Sequence, residues 1–525
     1  MGIPSYYTYL IKNYTKLIKK ISGFQKKVNY FYLDSNSIIY DSLFTIDVNK
    51  KNIEDELIKT VCLKIDEYIK IIQPTDGVYI AFDGIAPIAK LKQQKERRYK
   101  SKLLESIIKE EIHVDKPTFD RASITPGTEF MRNVDKKIKE FFKGREGFYG
   151  VKKIVFSGSM ERGEGEHKIF GVLRNIKNTN EKTHVVYGLD ADLIILALNH
   201  MEYSKNIYLF RETPEFIKSV NIDIDPNELY LMETSSLMTY IIETMVDKIY
   251  MSEEKLIKDY VFLMMFMGND FLPHFPSLNI RTFGIDTILT TYKNILGKKK
   301  LRLISDNNVI EWRNVREIVT ELARIEHENL KSEYKIRDRI SRNIKIREKE
   351  EKKKLEMKIN MIPMIDREKE YYIDPHNRYW ENRYYETLFN TSRTDENIEK
   401  ISVNYLEGLL WNMTYYTEGC INWRWTYKYS YPPLFVDLLR FIPLWDVNLI
   451  DENDENITFN EQLAYVLPKE SVGLLNETIR EKVESYKAHK ENVDIKWSFC
   501  KYFWECHIDF KEEKLEEISL LVKGN

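Results

Sequence analysis

The chain lacks what several protein classes require. No stretch of 18 uncharged apolar residues occurs in its 525 residues, so no membrane-spanning helix is expected. The N-terminus has no apolar signal-peptide core. Four cysteines, Cys62, Cys420, Cys500 and Cys506, are scattered without C-x-x-C spacing, which argues against a zinc site and against a disulfide framework. The nine histidines do not group as metal ligands, and glycine is scarce at 20 residues. Positive charge is not in surplus either: a formal net charge of −2 leaves any nucleic-acid contact to a local basic patch. These absences point to an intracellular, cytoplasmic protein in a reducing compartment, without membrane association.

What is present describes a globular chain. Hydrophobic residues make up 43% and charged residues 31%, and the length suggests two to four domains. The organising stretch is Tyr187-Gly188-Leu189-Asp190-Ala191-Asp192, flanked by the apolar run His184–Tyr187 and by Leu193–Leu198. The first run predicts a strand buried on both faces and the second a helix. Asp190 and Asp192 then stand at a strand end, where open α/β sheets bind ligands. An isolated Asp-x-Asp of this kind is as readily explained by helix capping. This pair is not isolated.

Tyr30–Asp34 reads as a strand closing on a carboxylate, 53–72 as an amphipathic helix, and 77–82 as a strand followed by Asp83. Strand, helix, strand is the βαβ pattern of a mostly parallel sheet flanked by helices, an α/β fold. Ile154–Ser157 predicts a further strand, and Gly163-Glu164-Gly165-Glu166 the start of a helix. Acidic residues at a helix start can simply offset the macrodipole, but glycines around both glutamates suggest a tighter backbone requirement. Downstream, the apolar run 262–267 closes on Gly268-Asn269-Asp270. Directly after Asp83, residues 86–100 carry six basic side chains and one acidic. Most such runs are solvated helix faces. Here Lys90, Gln94, Arg97 and Arg98 recur at i, i+4, i+7 and i+8, so one helix face beside the carboxylates could grip a phosphate.

Three parts are expected: a core over 1–290, a charged and mostly helical connector over 291–370, and a second, aromatic-rich region over 371–525. The connector reading rests on twelve basic against six acidic residues between Lys331 and Lys358, which suggests an exposed link. Core packing accounts for most of the aromatics beyond it, although those interleaved with Arg and Lys can also stack bases.

The collected acidic set is Asp34, Asp83, Glu164, Glu166, Asp190, Asp192 and Asp270. Carboxylates without His or Cys favour hard cations, Mg²⁺ or Mn²⁺. Gathered without cations they would repel one another at a cost of several kcal/mol. Two such ions would activate a water and stabilise a leaving phosphodiester oxygen. Chemistry alone therefore points to metal-dependent phosphodiester hydrolysis.

In order along the chain, these stretches resemble the 5′-to-3′ exoribonuclease (XRN) family. The resemblance is carried by Met1-Gly2-Ile3-Pro4, Leu33-Asp34-Ser35-Asn36, residues 82–90 with Gln93-Gln94 and Arg97-Arg98, and residues 123–131. It continues through 163–168, 187–193 and 268–274, and in the second region through 405–411, 423–425 and 431–433. It implies a fold like that of the PIN and flap nucleases, with the aromatic helical region packed on the sheet and completing the pocket. It also implies a processive enzyme that degrades single-stranded RNA with a 5′-monophosphate to mononucleotides in RNA decay. The seven carboxylates would be its metal ligands. Lys90, Gln94, Arg97 and Arg98 would form a pocket too confined for a cap or triphosphate, with Asn36 and Tyr40 also on the substrate side and Trp423 or Trp425 as the wall of a base stack. The resemblance further implies a monomer, with decapping or RNA-decay factors as partners, and a compact catalytic core without long C-terminal extensions. Three positions depart from the family pattern: Tyr40 for a usual His, Ser37 for Gly and Arg162 for Pro. Two other readings are a flap-type structure-specific nuclease and a catalytically idle RNA-binding scaffold. Intact carboxylates argue against the scaffold, and the single-file phosphate pocket against the flap-type nuclease.

Overall fold

The computed structural model describes residues 5–47, 52–112, 119–177, 179–212, 225, 228–445, 447–455, 457–488, 493–510 and 513–523. The opening Met1-Gly2-Ile3-Pro4 lies outside them. Seven strands form one sheet: β1 (Ile18–Lys20), β2 (Tyr30–Asp34), β3 (Gly77–Ala81), β4 (Lys153–Ser157), β5 (His184–Tyr187), β6 (Ile207–Arg211) and β7 (Tyr230–Glu233). Their spatial order is β1-β7-β6-β5-β2-β3-β4. The five strands from β6 to β4 are parallel, and β7 and β1 extend the sheet antiparallel.

Alternation along the central strands separates two cores. Phe31 and Leu33 of β2, with Val185 and Tyr187 of β5, pack with apolar residues of the helices Ile53–Ile72 and Glu129–Phe142. Tyr32 and Val186 point the other way, into a core shared with the helices Gly165–Arg174 and Asp192–Asn199. β5 is buried along its whole length, as its unbroken apolar run predicts. From β2 the chain adds β3 and β4 on one side, then β5 and β6 on the other. The order therefore reverses between β2 and β5, and their carboxyl ends flank the crevice where such sheets place their chemistry.

The second region packs into this same core. The 23-residue helix Asp395–Thr417 contributes Leu406, Leu409, Trp411 and Tyr415 to the cluster that holds Val186 and Leu193. A two-stranded antiparallel hairpin, β8 (Val493–Lys496) and β9 (His507–Phe510), leans on the long helix Ile88–Ile112, where Lys100 donates to the Cys506 carbonyl at 2.6 Å.

Residues 291–370 are helical in large part, but the link is not simply exposed. The helix Trp312–Arg342 buries Trp312, Val315, Ile318, Val319, Leu322 and Leu330, an apolar stripe at three- and four-residue spacing threaded between the charges. Some of its charges are buried as well: Arg337 pairs with Glu370 at 2.6 Å, with side chains 3% and 1% exposed. A charge count over the segment averages across these faces and hides the buried one. No helix among the described residues is long and apolar enough to cross a membrane.

Candidate active site

Asp34 is the last residue of β2, and Leu33 before it is in register with Tyr187, the last residue of β5. Asp83 lies two residues beyond β3. Asp190 follows β5, and Asp192 begins the helix Asp192–Asn199. Glu164 takes the N-cap position of Gly165–Arg174, with Glu166 in its first turn. Asp270 follows the turn at Gly268, whose φ of 80° favours glycine. Carboxylate oxygens of Asp34, Asp83 and Glu166 lie within 4.8 Å of one another. Asp190 acts electrostatically on Asp34, and Asp270 on Asp192. The seven acids expected from sequence thus meet at the sheet's carboxyl end.

Close backbone approach makes this gathering feasible. The Gly165 N–H donates to Asp83 Oδ1 at 2.8 Å. A Cβ on Gly165 would collide with Asp34 Oδ1, so glycine is required here by proximity. Asn36 holds the other side of Asp83, donating to its Oδ2 at 2.6 Å and accepting its backbone N–H at 3.2 Å. Asn36, expected on the substrate side, is in this structure a support for Asp83, because its position two residues beyond β2 faces the end of the neighbouring β3. Lys168 ties the ends of β3 and β4 together, donating to the carbonyls of Phe82 and Gly158 at 2.8 Å each.

Charge is concentrated and only partly neutralised. Lys90, 8% exposed, bonds to Glu164, donates to Asp270 Oδ2 at 2.9 Å and lies 4.0 Å from Glu166. The sequence assigned Lys90 to the phosphate pocket, but the structure draws its ammonium into the carboxylates, the strongest nearby field. Burial and repulsion from Asp83 push Asp34 well above the carboxylate range, and burial and Asp270 push Asp192 up to about 7. Asp270 is held below the usual range: burial raises it, but the nearby positive charges, Lys90 foremost and Arg97 among them, together outweigh that.

This donor set fits hard divalent cations. It consists of carboxylate oxygens at a buried strand end. Asp34 Oδ1 and Asp192 Oδ1 are buried without a hydrogen-bond partner, as ligand atoms awaiting a cation would be.

The helix Ile88–Ile112 carries the basic face. Gln94 and Arg98 are 4% and 9% exposed, while Arg97 is half-buried. Arg98 donates to Gln94 Oε1 at 3.2 Å and to Thr125 Oγ1 at 2.7 Å. Burial lowers the Arg98 guanidinium to about 10, with the Tyr40 phenol acting against that. Desolvation lowers the Arg97 guanidinium, yet Tyr40, Asp190, Asp270 and Asp83 raise it overall, which places it near the carboxylates. Gln94, Arg97, Arg98 and Tyr40 therefore gather beside the acidic cluster.

The two tryptophans offered as a base-stacking wall are placed differently. Trp423 is 9% exposed, lies under the Arg162 guanidinium at 3.9 Å, and packs with Ile85, Ile88 and Leu91. Trp425 is 8% exposed, stacks on Trp411 at 5.2 Å between centroids, and donates its indole N–H to Glu407. Both side chains are thus largely buried, Trp423 against residues of the first region and Trp425 against its own. Tyr415 and Thr125 carry site contacts that sequence reasoning did not assign. Tyr415 donates to Glu164 Oε1 at 2.8 Å across 251 residues of chain, and no local pattern signals such a contact.

Residues 1–213 match the family model described as XRN 5′-3′ exonuclease N-terminus, and residues 250–379 and 375–488 match that of the Xrn1 helical domain. The chain belongs to the XRN 5′-3′ exonuclease family. Its similar proteins include 5′-3′ exoribonuclease 1 of Saccharomyces cerevisiae, 26% identical over 91% of this chain and 40% of that protein. The 5′-3′ exoribonuclease 2 homolog of Drosophila melanogaster is 26% identical over 84% of this chain and 59% of that protein. Human 5′-3′ exoribonuclease 1 is 28% identical over 90% of this chain and 31% of that protein. This family member spans less than two thirds of the length of each. Both matched parts contribute to the site, the first through six of the carboxylates and the second through Asp270 and Tyr415.

Proposed function

We propose that this chain is a 5′-to-3′ exoribonuclease that removes mononucleotides processively from single-stranded RNA with a 5′-monophosphate, in RNA decay. The observation that carries this reading is the juxtaposition of seven carboxylates with Gln94, Arg97 and Arg98 on the helix Ile88–Ile112. Asp34, Asp83, Glu164, Glu166, Asp190, Asp192 and Asp270 would hold two Mg²⁺ or Mn²⁺ ions, which supply an activated water and stabilise the leaving oxygen. Arg98, braced by Thr125 and Gln94, presents its guanidinium to the 5′-terminal phosphate, and Arg97 spans from that phosphate towards the carboxylates. A phosphate pocket confined in this way would accept a chain end rather than an internal phosphate, and would exclude a cap or triphosphate. Lys90 belongs to both halves: its ammonium neutralises Glu164 and Asp270 from the same helix that grips the phosphate.

The enzyme acts as a monomer in the cytoplasm, alongside decapping or RNA-decay factors. Its four cysteines are all unpaired, which suits a reducing compartment.

The test uses one labelled RNA prepared with 5′-monophosphate, 5′-hydroxyl or 5′-triphosphate ends, with Mg²⁺ or EDTA, beside an Asp190→Asn/Asp192→Asn double variant. Stepwise loss of the monophosphate RNA alone, abolished by EDTA and by the double variant, is expected. Internal cleavage indifferent to the 5′ end would overturn the reading in favour of a structure-specific nuclease. Binding without hydrolysis would overturn it in favour of a scaffold.

A further inference from the structure

The helix Asp395–Thr417 ends against the acidic cluster, and its last turns touch two separate parts of it. Tyr415, 3% exposed, donates to Glu164 Oε1 at 2.8 Å while Lys90 holds Oε2. Three residues earlier, Asn412 accepts from Asn269 at 2.9 Å, and the Tyr416 hydroxyl lies 3.4 Å from the same Asn269 amide. Asn269 in turn accepts the N–H groups of Phe271 and Leu272 at 2.9 Å each, which shapes the turn presenting Asp270. Positions 412, 415 and 416 share one helix face, so a single rigid surface sets the relative placement of Glu164 and Asp270.

Tyr415 is itself locked. Its ring stacks on His167 with centroids 3.7 Å apart, and it is packed edge-on against Phe271 and tilted against Trp411. A carboxylate oxygen can only accept, so the phenol hydroxyl is the donor of this bond. A carboxylate with one oxygen bound by a fixed donor is restricted in rotation, and its other oxygen is aimed into the cluster. Outer contacts of this kind tune metal sites.

We infer that Tyr415 is a positioning residue of the cation site, by which the second region orients Glu164 for metal binding. This rests on the reading of the seven carboxylates as a cation site. It also gives the second region a part in the chemistry beyond covering the pocket.

The experiment titrates the RNA-free protein with Mn²⁺ by calorimetry, comparing wild type, Tyr415→Phe and the Asp190→Asn/Asp192→Asn double variant. Phenylalanine keeps the ring, the His167 stack and the edge contacts. Thermal melts of the metal-free proteins check folding, and each titration is run below the transition. Tyr415→Phe is expected to bind Mn²⁺ about ten-fold more weakly. Its Mg²⁺ requirement for hydrolysis should rise in parallel, its lost rate should return at high Mg²⁺, and its preference for a 5′-monophosphate should not change. Equal Mn²⁺ affinity in Tyr415→Phe and wild type would overturn the inference. Failure of wild type itself to bind Mn²⁺ would overturn the cation-site reading, and the inference with it.

Discussion

The Lys90 ammonium donates to Asp270 Oδ2 at 2.9 Å across 180 residues of chain. One salt link thus joins the helix Ile88–Ile112 to a turn far along the chain, inside a cluster otherwise rich in negative charge. Lys90→Met leaves Glu164 and Asp270 buried without that cation. The metal-free variant should lose roughly 3 kcal/mol in urea unfolding. Millimolar Mg²⁺ should restore more stability to the variant than to wild type, because cations bind the folded cluster alone. Equal loss with and without Mg²⁺ would mean that Lys90 matters only for packing.

Gly165→Ala tests the close approach at the cluster. The added Cβ must displace Asp34 or the start of the Gly165–Arg174 helix. Activity on 5′-monophosphate RNA should fall by about 100-fold, as expected for a displacement near 1 Å among reacting groups. Circular dichroism should show the fold intact.

Arg98→Met tests the recess. A charge-assisted hydrogen bond contributes about 1.5–3 kcal/mol, so preference for a 5′-monophosphate over a 5′-hydroxyl end should drop by roughly 10- to 100-fold. Thr125→Val removes only the brace and should give a smaller loss in the same direction. Competition between the two RNA ends in a single reaction measures both.

Glu326 gives a pH signature remote from the site. It is buried on the helix Trp312–Arg342, accepts the Phe435 N–H at 2.9 Å, and burial pushes its carboxyl up to about 8 from an ordinary 4.5. Because the folded-state value is raised, the folded protein holds a proton that the unfolded chain has released. The stability Glu326 contributes is complete below about 4.5 and is lost as pH rises through about 8. Glu326→Gln should therefore gain on wild type steadily across that window and level off above it. Urea midpoints at several pH values decide the point, and parallel curves would reject it.

Arg337→Met breaks the buried link between the long helix and Glu370, and also the bonds from Arg337 to the Phe499 and Cys500 carbonyls. A cost of about 3–5 kcal/mol is expected in equilibrium unfolding. A loss under 1 kcal/mol would return this segment to the role of a solvated link.

Much was legible from local pattern. The strands at 30–34 and 184–187 and the helix over Ile53–Ile72 follow from short apolar runs and 3.6-residue spacing, properties of neighbouring residues. Most of the carboxylates were legible because they stand at or just beyond a strand end or at a helix start, and parallel strands bring their carboxyl ends together. Their number implied cations, because like charges do not gather unaided.

Other features depended on the tertiary structure. Lys90 shares a helix face with Arg97 and Arg98, so spacing alone placed it in the phosphate recess. Its flexible stem reaches the carboxylates instead, and only the three-dimensional field decides which. Tryptophans beside Arg424 and Lys428 read as stacking surfaces, but packing buries both, Trp423 against the first region and Trp425 within the second. Trp312–Arg342 reads as solvated by charge count, and only its neighbours reveal the buried face. Tyr415 reaches Glu164 through the docking of one region on another, a relationship with no sequence period. Local sequence determined the elements and the chemistry available to them, because propensity, periodicity and charge act between near neighbours. Tertiary structure decided which groups meet, because long-range packing brings together residues that no short-range rule connects.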